Sequence, residues 1–246
     1  MQIFRNKNPY YRKLIVLSAA RIMLVVLPVF ALSLVFWRLH LANYLEAAGF
    51  AVMIAAMLIT YAVLSRRYRI LLSGHNGERA LFKIIKHINR GGTYAVFTNL
   101  PVSYKKSRSE IDMLLIGERG LLIIEVKNHS GIIIGDAGDD FWIQRKKYRE
   151  GKNAEKKIIN PLIQLRRQRG IIKALLAEHG YDIWVENALY FSNPNVKLKL
   201  NAGKNNRTFS SQGKLVKFIN SMKPRQPLSK RECKRVVEII KDMSGQ

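Results

Sequence analysis

The run EIDMLLIGERGLLIIEVKNHSG, residues 110–131, decides how this chain folds. Two apolar stretches, Met113–Ile116 and Leu121–Ile124, flank the short turn ERG at 118–120. Such spacing predicts a β-hairpin of two buried strands. A strand sends residues i and i+2 to the same face. Glu125 and Lys127 therefore project together, with Val126 on the other side. The preceding strand carries its own acid, Asp112. If the turn pairs the strands antiparallel, residues near 112 and 125 come close across the ladder, and the register decides whether the side chains converge.

Two carboxylates and an amine held at a strand edge suit metal-dependent phosphodiester hydrolysis. Magnesium is a hard cation that takes one or two protein carboxylates and keeps its waters. It acidifies a water and stabilises charge on a phosphate. A lysine beside it orients the water or offsets developing negative charge. The plainer alternative is a Glu–Lys pair on an exposed strand end. Other chemistries have no residues to stand on, because the chain contains no G-x4-G-K-[ST], H-E-x-x-H or G-x-S-x-G.

Outward from the hairpin, residues 73–92 predict a helix from about Gly77, with Asn76 as N-cap and Leu81, Ile84, Ile85 and Ile88 in one stripe. Strand-like runs follow at 93–102, 110–117, 121–128, 131–135 and 141–144. The polar run RKKYREGKNAEKK (145–157) reads as a solvent-facing loop. Residues 160–180 read as a helix capped by Asn160, with Pro161 at its first position and Gly180 after its end. Strands at 183–192 and 196–200 precede a helix at 210–222, and a last helix opens with Ser229 and Glu232 in capping-box spacing. This order predicts an α/β domain with a mixed sheet flanked by helices.

The first 70 residues differ in kind. Residues 14–37 are apolar except Ser18, Arg21 and Ser33, and 47–64 carry no charge. About 20 apolar residues cross a bilayer. The expectation is a membrane anchor over 1–70, with transmembrane helices at about 14–37 and 42–64 joined near Arg38 to Glu46, and a second domain over 71–246. Arg5, Lys7, Arg12 and Lys13 precede the pair and Arg66, Arg67 and Arg69 follow it. That bias places both termini and the larger domain in the cytoplasm, at the cell (inner) membrane.

Residues 1–64 hold six basic residues and one acid, a net +5, whereas 65–246 hold 36 and 16, a net +20. So large a charge points to polyanionic partners, nucleic acid or anionic lipid. The single cysteine, Cys233, excludes an intrachain disulfide and a Cys-rich zinc site.

GERALFKII (77–85), EIDMLLIGERGLLIIEVKNHSGIIIG (110–135), Trp142 and NPLIQLRRQ (160–168) resemble, in that order, the nuclease-related domain (NERD) family over about residues 74–192. That family is placed with the PD-(D/E)xK, restriction-endonuclease-like nucleases, so the resemblance implies their mixed sheet flanked by helices. It implies an active site of Glu78, Asp112, Glu125 and Lys127, with Glu78, Asp112 and Glu125 holding Mg²⁺ or Mn²⁺. Gln164 matches the family's glutamine, and Ile111 stands where the superfamily signature has proline. The implied function is a membrane-anchored nuclease acting on nucleic acid, DNA first. A tethered nucleic-acid-binding module without cleavage is the alternative, since fold and motif persist in binding roles. His75 and His129 flank the implied site, and Trp142 and Tyr148 are the candidates to stack on bases, with Trp142 also a candidate for the core.

Overall fold

The computed structural model describes residues 2–5, 9–38, 44–147, 153–203, 206–223 and 227–244. The chain divides into two compact units, Met1–Lys7 with Asn76–Gln246, and Asn8–His75. The smaller unit is built on α1 (Pro9–Arg38) and the first part of α2 (Tyr44–Ile88). Two segments, Tyr11–Ala31 and Ala51–Ile88, are long and apolar enough to cross a membrane by length and composition. Residues 39–43, in the expected connection, lie outside the described residues. Arg21 of α1 turns onto α2: its Nη2 donates to the Tyr61 hydroxyl at 3.4 Å, and its guanidinium lies over the rings of Tyr61 and Tyr68.

The larger unit opens with β1 (Ile3–Arg5), a strand the sequence did not announce. After α2 come β2 (Tyr94–Tyr104), β3 (Ser107–Gly117), β4 (Gly120–Lys127), β5 (Gly131–Asp136), β6 (Phe141–Lys147) and β7 (Asn153–Ile159). Next are α3 (Pro161–Glu178), β8 (Val185–Phe191), β9 (Val196–Asn201), β10 (Arg207–Phe209), α4 (Gln212–Ser221) and α5 (Lys230–Ser244). The α/β expectation holds, with two mixed sheets, of order β1-β2-β3-β4-β8-β10 and β7-β6-β5-β9.

Two expectations fail. Residues 145–147 continue β6 and 153–159 form β7, so much of the supposed loop is an antiparallel strand pair. Nor does a helix begin at an Asn76 cap, because α2 runs unbroken from Tyr44 to Ile88. Nothing from 65 to 77 forbids a helix: there is no proline, and each glycine costs only about 1 kcal/mol there.

The 110–131 stretch folds as read. Gly117 pairs with Gly120 and Met113 with Ile124, with Gly120 at φ +96 where a side chain would strain the turn. Strand β4 is buried on both faces and pairs antiparallel to β3 and parallel to β8, which explains its unbroken apolar run. Its odd residues Leu121 and Ile123 join Leu114 and Ile116 in a core with α3, α5 and the inner residues Ile133, Trp142 and Ile158 of the small sheet. Its even residues Leu122, Ile124 and Val126 pack with Met113, Leu115, the α2 residues Leu81, Ile84 and Ile85, and α4.

The edge strand β1 runs parallel to β2, with Ile3 opposite Val96 and Arg5 opposite Thr98. Phe4 stacks on Phe97 at 4.6 Å between centroids, and Lys241 of α5 lies over the Phe4 ring.

Candidate active site

Alternation carries Glu125 and Lys127 past Ile123 onto the face that meets α3. The register Met113 with Ile124 brings Asp112 opposite Glu125 at the end of the ladder. The Val126 N–H donates to Asp112 Oδ2 at 2.7 Å, locking the first carboxylate beside β4. Directly across from Asp112, the β2 ladder is interrupted at Asn99, whose φ is +50. Asparagine tolerates that left-handed conformation better than most residues.

Glu125 is 1% exposed, and both its oxygens are held. Lys127 Nζ donates to Oε1 at 2.5 Å, and Gln168 Nε2 donates to Oε2 at 2.8 Å. Lys127 also donates to Gln164 Oε1 at 3.2 Å. The two glutamines stand one turn apart on α3, the i, i+4 spacing that puts both on one face. The cap fixes that helix: Asn160 Oδ1 accepts from the Leu162 N–H at 2.9 Å, and Nδ2 donates to the Asp139 carbonyl at 2.6 Å. Gln168 Nε2 reaches the Glu110 carbonyl as well, at 2.7 Å, which ties α3 to β3.

The electrostatics follow from burial. The Asp112 carboxyl is held well above its usual range, first by burial and second by the neighbouring Glu125 carboxylate. Lys127 and the Val126 N–H work against that rise, while the charge of Glu78 adds to it. Glu110 is likewise raised, by burial and then by Glu125. Glu78 follows Gly77, where a Cβ would meet Ser192 Oγ at 2.8 Å and Val126 Cγ1 at 3.2 Å. That close approach sets the start of the α2 apolar stripe against β4 and β8. His129 is pushed down to about 4 by burial and by Lys127, Lys156 and Lys146.

Of the residues singled out from sequence, Asp112, Glu125, Lys127 and Gln164 stand together, and Glu78 bears on them through its charge. His129 sits at the edge of this group, whereas His75 belongs to the smaller unit. Trp142 is fully buried, its Nε1 donating to the Asp136 carbonyl, which makes it core. Tyr148 lies outside the described residues. Sequence reasoning missed Gln168 and Glu110. Each had a signal: Gln168 is one helical turn from Gln164, and Glu110 is at i−2 from Asp112, the same spacing that joined Glu125 to Lys127.

Among the described residues, no group of three or more His, Cys, Asp or Glu side chains is gathered to hold a metal ion. What they offer is the pair Asp112 and Glu125, hard oxygen donors, the first raised in pKa by burial and then by the second. Lys127 is the cation within reach of this pair, one charge for two acids, and a magnesium-class ion needs only one or two protein carboxylates. The donor set therefore fits that class of ion.

Two adjacent central strands of the mixed sheet thus bring two acids and a lysine together, with the glutamines of α3 set against them. Residues 73–192 match the family model described as NERD, the nuclease-related domain, and that span contains every residue of the group just described. No curated protein and no solved structure matches the chain.

Proposed function

We propose that the chain is a membrane-anchored, divalent-metal-dependent nuclease that hydrolyses phosphodiester bonds of nucleic acid, DNA first, on the cytoplasmic side. The observation that carries this reading is the half-buried Asp112 beside the buried Glu125 and its Lys127 partner, inside a segment that matches a nuclease-related family. Burying like charges is costly unless something compensates them. One lysine for two acids leaves room for a cation and, beyond it, a phosphate.

In this reading Asp112 and Glu125 hold Mg²⁺ or Mn²⁺, with Glu78 strengthening the local negative field. The bound ion supplies an acidified water and charge stabilisation at the phosphate. Lys127, already within reach of Glu125 and Gln164, presents its ammonium where negative charge develops. Gln168 holds Glu125 in place, and Gln164 holds Lys127.

Two observations support the membrane placement. The flanks of the apolar segments are basic, with Arg5, Lys7, Arg12 and Lys13 before them and Arg66, Arg67 and Arg69 after. Moreover, β1 and β2 belong to one sheet, so the intervening chain leaves the larger unit and returns to it. Any crossing of a bilayer by residues 8–75 is then even in number.

The test uses the full chain in detergent with labelled single- and double-stranded DNA and RNA. Cleavage with Mg²⁺ or Mn²⁺ that EDTA abolishes is the expected result. Binding without cleavage under every metal condition would instead establish a tethered binding module, a reading that draws on the absence of a gathered three-ligand set among the described residues.

A further inference from the structure

The described residues of the basic run, 145–147 and 153–157, divide between two faces, and the ladder says which residue is on which. In β6 and β7, Trp142 pairs with Ile158, Gln144 with Lys156, and Lys146 with Ala154. Trp142, Gln144 and Ile158 are buried, so this face points toward the core. Lys156 and Lys146 extend the same face beyond the last buried residues. Their ladder partners are Gln144 and Ala154, not acids. Gln144 Nε2 donates to the Ser130 carbonyl at 2.7 Å, which fixes this end of the small sheet next to His129.

The opposite face differs. Arg145 pairs with Glu155 in an exposed ion pair of 2.6 Å, and Lys157 lies opposite Ile143. Across the sheet, Ile132 and Ile134 pair with Lys197 and Lys199. Those cations stand on the side of the sheet away from Trp142 and Gln144.

Lys127, Lys146 and Lys156 come from three different strands, and all three lie close enough to depress His129. Lys127 is committed to Glu125. We propose that Lys146 and Lys156 form a phosphate-binding wall that takes backbone phosphates next to the one at Asp112, Glu125 and Lys127, with the His129 ring between wall and site. This rests on the nuclease reading and adds the side from which the strand enters.

The experiment exploits the alternation. The full chain in detergent, with EDTA to prevent cleavage, is titrated with a fluorescent DNA duplex and a single strand over a series of salt concentrations. A phosphate contact contributes about 0.9 to the log–log salt slope on duplex and about 0.7 on single strands. Lys146→Ala and Lys156→Ala should each weaken binding and lower the slope by about one such contact. Lys156→Glu should weaken it further, while Arg145→Ala and Lys157→Ala should leave affinity and slope at the wild-type values. Equal losses at all four positions, or none at Lys146 and Lys156, would overturn the wall. Failure of the wild type to bind any nucleic acid overturns the wall together with the nuclease reading. A wall that behaves as stated in a chain that never cleaves would leave the wall standing and remove the nuclease.

Discussion

Two ion pairs of nearly equal length sit in the two sheets. Lys127 meets Glu125 at 2.5 Å, and Arg145 meets Glu155 at 2.6 Å. Their surroundings are opposite: the first pair is 27% and 1% exposed, the second 46% and 52%. Each pair lies on antiparallel or neighbouring strand positions of a β-sheet, so distance alone says nothing about their roles. The large sheet is covered on both faces, and its acids feel one another through little solvent. The small sheet has one open face, where water screens the charges. Burial turns a common contact into a site whose charge is out of balance.

The sharpest way to break this comparison is to neutralise the buried acid. Glu125→Gln should abolish metal-dependent cleavage, a loss of at least about 10²–10³-fold in rate, while circular dichroism shows a folded domain. Full activity in that variant would make Glu125 structural. Lys127→Ala comes next. It should lower the rate by about 10²-fold, and because it leaves Glu125 buried without its cation it should also lower the unfolding midpoint in denaturant titrations. A smaller effect of the reverse sign is expected at Asp112. Its folded pKa lies above its unfolded value, so the fold favours the protonated acid, and ionisation at neutral pH costs stability. Asp112→Asn should therefore raise the melting temperature in EDTA at pH 7. The gain should shrink as pH falls through the raised folded value toward the unfolded one, and calorimetry across that range checks the sign. The smallest effect belongs to the exposed pair, where Arg145→Ala should change stability by about 0.5 kcal/mol or less.

The hairpin and its acids were legible because both strands are apolar on both faces and the turn is short, so chemistry-bearing residues stood out against the run. The extension of β6 and the strand β7 were not legible for the converse reason. One of their faces ends in lysines near the site and the other is open to solvent, so the alternation that marks a strand is missing. The single strand β1 has three residues, and its pairing partner lies more than 90 positions away, beyond any local pattern. Gln168 sat inside a quoted motif, but its meaning required knowing that α3 faces Glu125 and not solvent. The Asn76 cap illustrates a different limit: a capping residue marks a helix start only if the preceding residues refuse the helix, and these do not.

That three-residue edge strand has a bearing on how the protein is made and handled. Residues 3–5 are synthesised before everything they pair with, and Val96–Thr98 follow only after the whole of 8–75 has been translated. The apolar segments are thus an insertion within the larger domain's chain path, stitched in at both ends. Trimming the chain to start after residue 75 would remove more than the two apolar segments. It would expose the flat edge of β2, uncover the face of Phe97 on which Phe4 stacks, and leave an unpaired strand edge of the kind that invites self-association. A version without residues 8–75 has to keep the first strand, by a linker from it to the larger unit or as a separate peptide.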